Sequence, residues 1–178
     1  MDVVIRAAQL EDLSQIREFY QEVTATIDPA VTSWLPGVYP SLKTAEAAIQ
    51  EETLFLALVS GKIAGSVILN YNFDEEYRAI PWANPLLAPE KILVVHTLMT
   101  SPTFRRQGIA QKLLQFAIVL AEKRGCEAIR LDTFAANLPA QHLYQKLGFT
   151  LRGTADLPSW NGNGMDSCVF FERVTYSS

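Results

Sequence analysis

A mixed α/β fold, with helices on the faces of a mixed β-sheet, is what this 178-residue sequence predicts. Two observations carry the prediction. Apolar residues switch along the chain between a period of two and a helical period, in the order β, α, α, β, β, β, α, β, α, β, β. A helix lying between two strands then usually makes a parallel crossover, which requires a sheet with covered faces. The length fits one domain, residues 1–178, able to bury a substantial core.

The elements follow from their residues. VVIRAA opens the chain as a short strand, and the next stretch places Leu10, Leu13, Ile16, Phe19, Tyr20, Val23 and Ile27 at helical spacing. DPAVTSWLPGVYP, residues 28–40, breaks that helix and leaves Trp34 and Tyr39 free to line a surface. A second helix spans residues 42–52, capped by Ser41. TLFLALVSGKIAGSVILNYNF reads as two strands joined at Ser60, Gly61 and Lys62. Residues 74–90, DEEYRAIPWANPLLAPE, carry three prolines and form a long excursion, a loop length that is often functional. KILVVHTLMT is a strand, and a helix beginning at Gly108 runs to Gly125. CEAIRLDTFA is a strand, NLPAQHLYQKLG is a short helix ending at Gly148, and FTLRGTADL and MDSCVFFERV are the last strands, around the turn-rich PSWNGNG.

Composition removes several functions. With 49% hydrophobic and 19% charged residues the chain is globular rather than disordered. A net charge of -4 argues against a dedicated nucleic-acid binder, so any phosphate site has to be local. Cys126 and Cys168 form no CxxC or Cys/His cluster, which points to buried thiols in a reducing compartment rather than a metal site or a disulfide framework. The N-terminus lacks the pattern of a secretion signal, and no clean apolar run approaches the roughly 18 residues of a membrane span, so a cytoplasmic protein without membrane contact is expected.

The stretch TSPTFRRQGIAQKLL carries the chemistry. Pro102 ends the strand because it cannot donate a ladder hydrogen bond, and Gly108 removes a Cβ that would hold a ligand away from the main chain. Ile109, Leu113, Phe116, Ala117 and Leu120 give the following helix one apolar face. Its N-terminus offers unpaired amides and a positive dipole end beside Arg105 and Arg106, which suits a pyrophosphate. An ordinary strand-to-helix turn with two solvated arginines is the plainer alternative. GxxxxGK[ST] and GxGxxG are both absent, so neither a P-loop nor a dinucleotide-binding fold has its fingerprint.

The remaining pattern, Arg-Arg-Gln-Gly-Ile-Ala, resembles the R/Q-x-x-G-x-G/A signature of the GNAT superfamily of N-acetyltransferases, with Ala110 where glycine is common. LMTSPTFRRQGIAQKLL looks like the family's strand, turn and helix. NLPAQHLYQKLGF looks like its next helix, with Asn137, Ala140, Tyr144, Gly148 and Phe149 in matching places. Specific motifs cover residues 98–149, and the element order extends the similarity over nearly the whole chain. The resemblance implies a mostly antiparallel sheet with one parallel, splayed strand pair, and acetyl coenzyme A as cosubstrate. The pyrophosphate would lie on the turn formed by Arg105, Arg106, Gln107, Gly108, Ile109 and Ala110, and the thioester and pantetheine arm on Leu98, Met99 and Thr100, with further contacts from Asn137 and Ala140. Family members are often homodimers.

Tyr144 matches the tyrosine that the family commonly uses as general acid toward the departing thiolate; by its own neighbours alone, Leu143 and Leu147, it reads as a core residue first. His96 and Asp132, on the strand entering the turn and on the next one, are candidates for proton relay or amine binding. Strict alternation puts Val94, His96 and Leu98 on one face, and Asp132 is placed to orient His96 or to bind the amine; a satisfied core histidine and a structural carboxylate are the plainer readings. Trp34, Tyr39, Phe73, Tyr77 and Trp82 are candidate walls of the acceptor pocket, and Asp74, Glu75 and Glu76 candidate partners for a cationic amine. Neither cysteine falls in the matched motifs, which favours direct transfer to the primary amine of a small molecule or peptide, without metal or covalent enzyme intermediate. The competing expectations are a non-catalytic acyl coenzyme A sensor and a nucleotide-binding module using the same turn.

Overall fold

The computed structural model describes residues 1–175. Seven strands form one sheet in the order β1-β2-β3-β4-β5-β7-β6. They are β1 (Val4–Ala7), β2 (Leu54–Val59), β3 (Lys62–Asn70), β4 (Ile92–Thr100), β5 (Ala128–Phe134), β6 (Thr150–Pro158) and β7 (Met165–Val174). Every neighbouring pair is antiparallel except β4 and β5. That exception is the crossover through α3 (Ile109–Lys123), as the strand-helix-strand order demands.

Helices cover both faces. On one face α1 (Leu13–Thr26) and α2 (Leu42–Gln50) set Ile16, Phe19, Val23 and Ala45 against Leu54, Leu56 and Ile68. On the other, α3 and α4 (Leu138–Lys146) set Ile109, Leu113, Ala117 and Tyr144 against Val67, Leu93 and Ile129. Capping is local and follows the sequence: the Ser41 hydroxyl accepts from the Thr44 amide, and Asn137 Oδ1 accepts from the Ala140 amide at 3.3 Å.

A third cluster lies beneath the excursion of residues 74–90, where Tyr77, Ile80 and Trp82 pack on Val94 and Phe170. The excursion is tied to the sheet by buried charge. Glu172, 1% exposed, accepts from Arg130 Nε at 2.8 Å, from Arg152 Nε at 3.0 Å and from the Ala83 amide at 2.9 Å. Arg130 also donates to the Asn84 carbonyl at 2.9 Å and lies 4.4 Å from the centre of the Trp82 ring. The loop the sequence announces is therefore an anchored lid over the second half of the sheet.

One glycine governs how closely α3 can approach. A Cβ on Gly65 of β3 would lie 2.6 Å from Ile109 Cγ2 and 2.8 Å from the Met99 carbonyl oxygen. The first turn of α3 is thus seated on bare backbone. Gly65→Ala should push that turn off the sheet and destabilise the protein by about 1–3 kcal/mol, the usual cost of overpacking. The check is a urea titration, in which the midpoint falls at unchanged slope.

Candidate active site

β4 and β5 pair over three positions only, Ile92 with Ala128, Leu93 with Ile129 and Val94 with Arg130. Beyond them β4 stays bonded to β3 as far as Thr100, and β5 stays bonded to β7 as far as Phe134. Each strand keeps its outer partner while the two inner edges diverge, leaving main-chain donors and acceptors without a ladder. A cavity of about 710 Å³ occupies the gap, within the ordinary range of ligand sites.

The strand β4 is bulged inside this gap. Thr97 has φ +51, and the pairing with β3 shifts so that Val67 faces both Thr97 and Leu98. Alternation is therefore broken at Thr97. Val94 and His96 lie on the face of the excursion, whereas Leu98 packs with the α3 side and Met99 with the α1 side. The expectation that Leu98 shares the face of His96 is corrected: Met99 shares it. No local signal in the sequence marks a β-branched residue at positive φ.

Where β4 ends, Arg105, Arg106, Gln107 and Gly108 are exposed, with Arg106 at φ +62 and Gly108 at φ +77. Gly108 caps α3 without a side chain, and a Cβ there would meet nothing within 4 Å. Glycine is needed here for the backbone angle and for an unobstructed approach. The amides of the first helical turn have no backbone acceptor among the described residues, so an anion meets free donors at a positive helix end. Arg105 reaches Thr26 Oγ1 at 3.3 Å, Gln107 donates to the Thr103 carbonyl at 3.3 Å, and Ile109 turns its side chain into the core, offering only main chain. Ala110, Asn137 and Ala140 line the cavity on this side. An open strand edge leading to uncapped amides fits an extended thioester ending in a diphosphate.

Two faces of the sheet contribute to the same gap. From the helical side comes Tyr144, 6% exposed and packed on Phe149 and Phe171. Burial pushes its phenol well above the usual value, with the charge of Asp132 adding to the rise and Thr133 opposing it. From the other side comes Asp132, whose Oδ1 accepts from the Tyr77 hydroxyl at 2.6 Å. Burial pushes this carboxyl up to about 6, with the Tyr77 hydrogen bond pulling it down and the charge of Asp74 pushing it up.

Asp132 does not orient His96. The imidazole Nε2 faces two acceptors, Asn70 Oδ1 at 2.8 Å and the Asn72 carbonyl at 2.9 Å. Because Asn70 Oδ1 also accepts from the Asn72 amide at 3.0 Å, the side-chain amide is fixed with oxygen inward and Nε2 must carry the proton. Burial lowers the pKa of His96, so the ring is neutral near pH 7 and Nδ1 keeps its lone pair.

Of the five aromatic residues expected to form the acceptor pocket, Trp34 and Tyr39 line the cavity. Phe73, Tyr77 and Trp82 do not; they form the core under the excursion, and only the Tyr77 hydroxyl reaches the site, through Asp132. The wall that the sequence did not announce comes from the turn between β6 and β7 and from the start of β7. Trp160 stacks on Tyr39 at 3.7 Å between ring centres, and Asp166 accepts from the hydroxyls of Ser33, at 2.6 Å, and Ser159. The signal available in the sequence was a tryptophan within a turn rich in glycine and asparagine, PSWNGNG. Cys168 also lines the cavity, its thiol pushed up to about 12 by burial and then by surrounding carboxylates.

Among the described residues no helix is long and apolar enough to cross a membrane, and no group of side chains has the makings of a metal site. The sequence model of the Acetyltransferase (GNAT) family matches residues 13–149. The streptothricin acetyltransferase of Escherichia coli is 33% identical over 104 residues, 58% of this chain and 51% of that protein. Human N-acetyltransferase 8 is 33% identical over 82 residues, 46% of this chain and 36% of that protein. The chain thus spans about half or less of the length of these relatives. Among solved structures, a GNAT-family acetyltransferase from Streptococcus agalactiae superposes with a TM-score of 0.80 at 23% identity, over 98% of this chain and 96% of that one. The yncA protein of Salmonella typhimurium, solved with its cofactor acetyl-CoA, superposes with a TM-score of 0.72 at 15% identity, over 100% and 98%. These likenesses show the fold, and the family match, which covers well over half of the sequence, shows the membership: the chain belongs to the Acetyltransferase (GNAT) family.

Proposed function

We propose that the protein is an acetyl-CoA-dependent N-acetyltransferase that moves the acetyl group directly from the thioester to a primary amine. The observation that carries this reading is the gap between β4 and β5, entered from one face by Tyr144 and from the other by Asp132. Coenzyme A is held by the free amides of residues 107–111 and by the open edge of β4 around Leu98, Met99 and Thr100, with Arg105 and Arg106 beside the diphosphate.

The acceptor arrives as an ammonium ion and gives one proton to Asp132, whose raised pKa of about 6 makes it a better base than an ordinary carboxylate. The amine nitrogen then forms a bond to the carbonyl carbon while the main chain of β4 stabilises the developing oxyanion. As the carbon–sulfur bond breaks, the thiolate takes the phenolic proton of Tyr144. Desolvation holds this phenol neutral and raises the basicity of a thiolate beside it, as the Cys168 thiol illustrates. The second nitrogen proton restores Tyr144. Direct transfer is favoured over an acyl-cysteine route because Cys168, the cysteine at the cavity, stays a neutral thiol and a poor nucleophile.

Calorimetric titration should give saturable binding of acetyl-CoA and none of comparable strength for ATP; a preference for ATP would remove the reading. Tyr144→Phe should lower kcat about 10²-fold or more while leaving coenzyme affinity within a factor of a few, and unchanged turnover would end its acid role.

Asp132 links activity to stability. It faces Asp74, Tyr39, Tyr77, Tyr144 and Cys168, none of which supplies a positive charge. Activity should therefore fall as pH drops through about 6, where the carboxylate is protonated. The folded pKa lies above the unfolded one, so the folded state holds the proton more tightly and loses stability as pH rises from about 4 to about 6. Asp132→Asn should abolish most turnover yet raise Tm at pH 7.5, by a margin that shrinks below pH 6. A lowered Tm at pH 7.5 would contradict the burial argument.

A further inference from the structure

The acceptor half of the cavity is acidic and aromatic at once. Asp132 sits at its floor, Asp74 lies exposed at its rim and Asp166 stands in the wall beside Trp160. Among the described residues the cavity is lined by no lysine and no arginine, and its histidine, His96, is neutral near pH 7. The same carboxylates surround Cys168: after burial, the charges of Asp132, Asp166, Asp156 and Asp74 push its thiol up. Arg130, on the same face of β5 as Asp132, is engaged by Glu172 and the Asn84 carbonyl and does not line the cavity.

From this arrangement, and resting on the N-acetyltransferase reading above, we infer that the acceptor is a cationic amine with no carboxylate next to the reacting nitrogen. An ammonium group is attracted to Asp132 and Asp74 and enters a cavity walled by the aromatic side chains of Trp34, Tyr39 and Trp160. A free α-amino acid carries its carboxylate within two bonds of the nitrogen. That charge would enter a partly desolvated space already holding three aspartates and offering no guanidinium or ammonium to pair with it. Discrimination against it is therefore built by repulsion, while an amine bearing a hydrogen atom, an amide or a second ammonium at the same position is admitted. Each oxygen of Asp166 already accepts from a serine hydroxyl, whereas the Asp74 side chain has no hydrogen-bond partner among the described residues, so Asp74 is the adjustable member.

The test uses matched pairs that differ only in the carboxylate, each with a single amine: 3-methylbutylamine against leucine, phenethylamine against phenylalanine, and phenylalanine amide against phenylalanine. Transfer is followed by release of the coenzyme A thiol, and binding by quenching of tryptophan fluorescence with coenzyme A present. The expected result is that the carboxylate-free member of each pair has at least a tenfold higher kcat/KM or affinity, and that Asp74→Asn narrows the ratio severalfold. Equal or reversed preference overturns the inference, as does failure to bind or acetylate either member of any pair by protein that binds acetyl-CoA. Failure to bind acetyl-CoA instead removes the N-acetyltransferase reading itself.

Discussion

The parting of β4 from β5 after Val94 and Arg130 is the constraint on which the rest of the site depends. A sheet that stayed paired would satisfy its backbone internally and leave no donors for a ligand. Here each strand is held by its other neighbour, so the inner edges stay ordered while remaining unpaired. The bulge at Thr97 re-aims β4 within the gap, and the Tyr39 and Thr97 hydroxyls are hydrogen-bonded, tying the irregular segment after α1 to that point. Groups from opposite faces of the sheet then share one space. Tyr144 belongs to the core under α3 and α4, and Asp132 to the face under the excursion, yet both border the same cavity.

The point of divergence coincides with the buried ionic network. Arg130 is the last residue of β5 paired to β4, and its side chain joins Glu172, the Asn84 carbonyl and the Trp82 ring. Desolvating such charges is costly, and their mutual hydrogen bonds offset the cost only while all partners remain, so the arrangement is better suited to fixing geometry than to adding net stability. What it fixes is the excursion, and through the excursion Tyr77, whose hydroxyl holds Asp132. The Trp82 indole donates to the Tyr77 carbonyl at 2.6 Å and completes the support. A chain of contacts thus runs from a core ion pair to a carboxylate that carries a perturbed pKa.

Much of this was legible in the sequence because it is local. The order of elements, the glycine at the start of α3, the Ser41 and Asn137 caps and the basic turn are set by residues within a few positions of one another. What was not legible is set by partners far away in the chain. The bulge at Thr97 is defined by register against β3, so a strict period of two placed Leu98 on the wrong face. Phe73, Tyr77 and Trp82 looked like pocket walls because they lie in an irregular segment; packing on Phe170 makes them core. Asp166 and Trp160 reach the site because a turn near the end of the chain meets Ser33 and Tyr39 near its beginning.

The central claim is that a ligand completes the backbone that β4 and the start of α3 leave unpaired. The direct measurement is amide hydrogen exchange, resolved by residue with NMR, in the free protein and at saturating acetyl-CoA. The account predicts slowed exchange at amides within residues 97–100 and 107–111, with little change on the outer strands β1 and β6. Saturated binding that leaves both segments unprotected, or protects amides elsewhere instead, would contradict it.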